Sequence, residues 1–156
     1  MPRLINQTDY STILWSTLRP KVMMHPRDAQ VYCPSREWFE AEFIPTLDQV
    51  TLPYEPESND CEDISMEANV LMNRTVRDYV VNNNLTRAGN SLSAVCEVII
   101  PAGYELNGIR DGVHAPHVIV FDDLSCWFFE AQPSTRRLTD ADEAIRNRVV
   151  VRELKP

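Results

Sequence analysis

The stretch VHAPHVIVFDDLSCWFFEAQ, residues 113–132, decides the fold. Val118 to Phe121 is continuously apolar and strand-sized. Asp122-Asp123 interrupts that run, and Cys126 to Ala131 resumes it with Trp127, Phe128 and Phe129. Two such runs around an acidic turn predict an antiparallel hairpin of Val113–Phe121 with Cys126–Ala131. A register centred between 122 and 123 sets Glu130 opposite residue 115. Outward from the hairpin, Ser93 to Pro101 and Arg148 to Leu154 read as further strands, with a short helix over Thr139 to Ile145.

Upstream the period changes from 2 to 3.6. Ile64, Ala68, Leu71, Met72, Val76, Tyr79 and Val80 predict a helix from Asn59–Asp60 to about Val81, capped by Asn59 or Asp60. Thr8 to Arg19 and Arg36 to Phe43 predict two shorter helices, stopped by Pro20 and Pro45. Thr51 to Asn59, holding Pro53 and Pro56, reads as an extended loop. Helices first and strands last argue for a single α+β domain over residues 1–156.

Composition narrows the function. The chain has 156 residues, 44% hydrophobic and 24% charged, so it can bury a full core and is not disordered. Net charge is −8, and Asp48 to Glu67 holds acids with no Lys or Arg, the wrong sign for a phosphate surface. Nucleic acid is therefore not an expected partner. Neither is a membrane, because no apolar run nears the ~18 residues a spanning helix needs. No signal-peptide pattern opens the sequence, and cysteines at 33, 61, 96 and 126 form no CxxC pair. Reduced thiols and a cytoplasmic location are expected.

Three places carry chemistry. Cys61 falls in the first turn of the long helix, where the positive end of the dipole favours a thiolate, the nucleophilic form. His114 and His117 open the first hairpin strand, and Glu130 ends the second, where a carboxylate can orient an imidazole. In a regular strand 114 and 117 face opposite sides, so at most one lines up with Cys61. Ala115 and the spacing to Glu130 favour His114 as the base, with His117 the alternative. The Cys61 amide and Gln49 are the candidate oxyanion donors. Glu57, Asp60, Glu62 and Asp63 supply hard oxygens suited to Ca²⁺ or Mn²⁺, although no cofactor is required.

The order Cys61, His114, Glu130 resembles that of papain-like cysteine peptidases. The motifs Asp60-Cys61-Glu62-Asp63, His114-Ala115 and Glu130-Ala131-Gln132 resemble most closely a bacterial and phage family related to the protease domain of the Marasmius oreades agglutinin. Val113, His117 and Ala131 depart from that family's Gly, Asn and Pro. His117-Val118 is also similar to the His-Val of NlpC-type peptidoglycan peptidases. The resemblance implies a papain-like fold, with the cysteine-bearing helix packed on an antiparallel sheet. It further implies a thiol protease-type hydrolase or acyl transferase acting on a peptide or peptidoglycan-like amide, and calcium dependence. The alternative is a non-catalytic phage structural or binding protein that retains the fold.

Overall fold

The computed structural model describes residues 3–24, 28–50 and 61–156, with side chains from Asp63 onward in the last segment. The expected loop over 51–59 and the caps Asn59 and Asp60 lie outside these residues.

Ten strands and five helices make up the described chain. β1 (Arg3–Asn6) leads into α1 (Gln7–Leu18), followed by β2 (Val22–Met23) and β3 (Gln30–Cys33). α2 (Arg36–Trp38) continues through a π-helical turn, Phe39–Phe43, into α3 (Ile44–Val50). α4 is Cys61–Asn82, β4 Gly89–Asn90 and β5 Ala94–Leu106. β6 (Ile109–His114), β7 (His117–Val120), β8 (Cys126–Glu130) and β9 (Arg137–Asp140) precede α5 (Ala141–Arg146) and β10 (Val150–Lys155).

The expected helix on an antiparallel sheet is corrected. A seven-stranded sheet in the order β2-β10-β5-β7-β8-β9, with β6 also on β5, dominates the fold, and β10 pairs with β2 in parallel. A second sheet, β1-β3-β4, uses strands that interleave with the early helices, so helices do not simply precede strands. The physical reason lies in Val118–Phe121, where every side chain is fully buried. A sheet apolar on both faces must be covered on both. Val118, Val120 and Phe128 pack with Tyr10, Leu14 and Leu18 of α1 and Ala141 and Ala144 of α5. Ile119, Phe121 and Phe129 point the other way, to Ile64, Ala68 and Met72 of α4 and to Phe39, Phe43 and Leu47. Each fully buried aromatic contributes roughly 1.5–3 kcal/mol to that core.

Local chemistry sets the helix ends. Asn6 caps α1 by accepting from the Asp9 N–H at 2.8 Å, and Arg19 closes it in the left-handed region at φ 46°. Pro45 does not end its helix, contrary to the expectation from sequence. A proline inside an α-helix loses one hydrogen bond and clashes with the carbonyl four residues back. Here the preceding turn widens instead, and the Ile44 N–H donates to the Phe39 carbonyl, five residues back. That turn sets Phe39 and Phe43 above one another, ring centroids 5.1 Å apart.

Two strand expectations also change. β5 runs beyond Pro101 to Leu106, with a register shift between Ile100 and Glu105. The expected strand Val113–Phe121 is split at Ala115-Pro116, because Pro116 has no N–H to give the ladder. The ladder nevertheless stays in step, with Val98 opposite His114 and Val95 opposite His117. The hairpin register is one residue from expectation: His117 faces Phe129, so Glu130 falls opposite Pro116.

Candidate functional site

His114 and Glu130 meet. His114 Nε2 bonds Glu130 Oε2, and both side chains are only 4% exposed. Glu130 Oε1 accepts the Gln132 N–H at 2.8 Å, so both carboxylate oxygens are engaged. Glu130 shares its strand face with Phe128, and His114 shares its face with Val118. The pair therefore stands on the α1 side of the sheet.

His117 is turned to the α4 side. Its ring lies 6.4 Å from that of Phe129 and faces the Ser65 and Ala94 carbonyls. It is fully buried, and among the described residues neither ring nitrogen has a hydrogen-bond partner. Burial pushes its pKa down to about 4, against a weaker opposing effect of the Glu130 charge.

Cys61 is the first residue of α4. One turn on, Ser65 donates to the Ala115 carbonyl at 3.0 Å and fixes this end of the helix to the break between β6 and β7. The Cys61 and Glu62 side chains, and the whole of Glu57 and Asp60, lie outside the described atoms. Asp63 is exposed on α4, and Gln49 is exposed on α3. No cluster of three metal-ligating side chains occurs among the described residues. Cys33, Cys96 and Cys126 are free and buried, and burial pushes the Cys33 thiol up to about 12 and the other two well above the usual range.

Between α4 and the sheet lies a cleft of about 300 Å³. Ser65 and Asn69 line it from the helix, Val95 and Glu97 from β5, and Glu153 and Lys155 from β10. Asn69 Oδ1 is buried beside it without a partner among the described residues. Sequence reasoning missed this wall, although Ser65 and Asn69 follow Cys61 at successive four-residue steps on a helix, a readable signal. Arg136 was also missed. Its side chain, 5% exposed, is ion-paired with Asp48 and donates twice to the Ala131 carbonyl, at 3.1 and 2.7 Å. Nothing in the sequence near Arg136 marks that role.

No family model and no curated protein matches the chain. Solved structures do. One, titled "PSL1a-E64 complex", is 14% identical with a TM-score of 0.64, covering 98% of this chain and 50% of that one. Another is Polyporus squamosus lectin bound to the human-type influenza-binding epitope Neu5Acα2-6Galβ1-4GlcNAc, 16% identical with a TM-score of 0.63, covering 98% and 49%. The fold is one shared with half of a lectin chain. This corrects the papain-like assignment drawn from the motifs, and with it the thiol-protease hydrolase expected from that assignment. The non-catalytic alternative fits these neighbours better. The chain spans about half the length of the lectin chains it matches. Their glycan and E64 are properties of those proteins. Among the described residues, no helix is long and apolar enough to cross a membrane.

Proposed function

We propose that the chain is a ligand-binding protein that holds a polar ligand in the cleft between the first turns of α4 and strands β5 and β10. The cleft itself carries this reading. Its volume, about 300 Å³, reaches the range of small-ligand sites. Its walls set opposite charges, Glu97, Glu153 and Lys155, across from the amide and hydroxyl of Asn69 and Ser65. The unpartnered Asn69 Oδ1 is an acceptor awaiting a donor, and leaving such an atom unpaired costs about 1–3 kcal/mol. A hydroxyl-rich ligand supplies donors of that kind.

The two neighbours' ligands are the probes. Binding of Neu5Acα2-6Galβ1-4GlcNAc or of E64, measured by calorimetry and by the rise in melting temperature, is the expected result. Glu97→Gln with Lys155→Met is expected to weaken it about tenfold or more, as lost charge-assisted hydrogen bonds do. Binding of neither probe overturns the reading, as does E64 left covalently attached at Cys61, or turnover of a peptide or peptidoglycan amide that is lost in Cys61→Ala.

A further inference from the structure

A second hollow lies away from the α4–sheet cleft. Tyr32 and Pro34 form one wall, Trp38 another, and Thr75, Val76 and Tyr79 on the outer half of α4 the third. Its volume is about 160 Å³. An apolar cavity of about 150 Å³ accepts one benzene-sized ring.

The walls are held in place. Tyr32 Oη donates to the Thr86 carbonyl at 3.0 Å, which fixes its ring. The Trp38 N–H donates to Ser35 Oγ at 3.2 Å, and the Trp38 ring leans on Phe43, with centroids 6.4 Å apart. Thr75 Oγ1 donates to the Leu71 carbonyl at 2.9 Å, so its methyl is the group left to the hollow. Two polar groups of the lining remain without a hydrogen-bond partner among the described residues, Trp38 Nε1 and Tyr79 Oη. Among the described residues no charged side chain lines the hollow.

These facts select a ligand. Three aromatic rings and a proline favour a flat apolar face at stacking distance. A described lining without charge disfavours an ion, whose desolvation would go uncompensated. The volume limits the guest to a single ring. The two free polar groups offer partners to one substituent, whereas a pyranose carries hydroxyls around its whole rim and would bury most of them unpaired. We propose that this hollow is a binding site for a neutral aromatic ring bearing one hydroxyl, a phenol, from either a small molecule or a tyrosine side chain of a partner.

The test uses the full chain labelled with ¹⁵N at tryptophan, following the Trp38 indole signal. Saturable displacement by p-cresol is expected. Tyr79→Phe should weaken p-cresol about three- to tenfold, the usual effect of one hydrogen bond, and leave toluene unchanged. Val76→Phe, which fills the hollow, should abolish both while far-ultraviolet circular dichroism stays native. Tighter binding of N-acetyltyrosinamide than of p-cresol supports the site and identifies a protein side chain as the guest, while the reverse order supports it and identifies a small molecule. Absence of saturation with p-cresol overturns the proposal. So does tighter binding of methyl glucoside, or displacement that survives Val76→Phe.

Discussion

His114 and His117 stand three residues apart, on strands that keep one register across the break at Pro116, and face opposite sides of the sheet. The Glu130 carboxylate serves the first, and the first turns of α4 cover the second. Two imidazoles next to one another in sequence thus live in different environments, separated by the thickness of a single sheet.

His117 makes stability depend on pH. Its pKa falls from 6.5 in the unfolded chain to about 4 in the fold, so unfolding takes up a proton between those values. Its contribution is complete above about pH 6.5 and is lost as pH falls towards 4, on the order of 3 kcal/mol. Urea midpoints at pH 7, 5 and 4 should show the decline. His117→Leu should flatten it, and an equal decline in that variant would assign it to other groups.

Glu130 should respond according to what replaces it. Glu130→Ala leaves His114 and the Gln132 N–H without a partner, and breaking a buried pair in this way costs about 3–5 kcal/mol. Glu130→Gln keeps an acceptor for Gln132 and a polar group for His114, so a loss of about 1–2 kcal/mol is expected. Denaturation at pH 7 distinguishes the two, and equal losses would show that the carboxylate charge itself is what the fold needs.

The Arg136–Asp48 pair is predicted to be asymmetric. Asp48 is 58% exposed, so Asp48→Ala should cost under about 1 kcal/mol. Arg136→Ala strands the carbonyl of Ala131, itself 1% exposed, and should cost about 1–3 kcal/mol. Arg136→Lys should recover little, because one ammonium does not reproduce two donors held in a plane. Chemical denaturation of the three variants checks the order.

Arg19 closes α1 at φ 46°, a conformation that costs an L side chain about 1 kcal/mol and glycine almost nothing. Arg19→Gly is therefore expected to stabilise the protein by about 0.5–1 kcal/mol, read as a rise in melting temperature.

Much of the architecture was readable from local pattern. The three- and four-residue spacing of Ile64 to Val80 located α4, and the apolar runs on either side of Asp122-Asp123 located β7 and β8. The short strands β1, β3 and β4 were missed, because two to four residues carry no period and are strands only through their partners. Pro45 misled for a physical reason: a proline stops an α-turn but can be followed through a wider one. In the candidate site, pairing of His114 with Glu130 was legible from alternation and spacing. The one-residue error in register came from centring the turn on its two acids rather than on Asp123, whose carboxylate accepts the Ser125 N–H at 2.8 Å. Arg136 and the two clefts join segments far apart in the chain, and no local pattern encodes such distances.

The wide turn at Phe39–Phe43 also bears on how this chain tolerates changes in length. A π turn holds one residue more than an α turn between the same two layers of backbone. Glu40, Ala41 and Glu42 on its outer side are exposed. Removing one of them, with Pro45→Ala to relieve the proline, would close the turn to ordinary width and keep Ile44–Val50 in phase, Leu47 inward and Asp48 beside Arg136. The same deletion inside α4 would swing every later residue by about 100° and empty the core. The turn at Phe39–Phe43 is thus a place where the chain can give up one residue of length, which the middle of α4 is not.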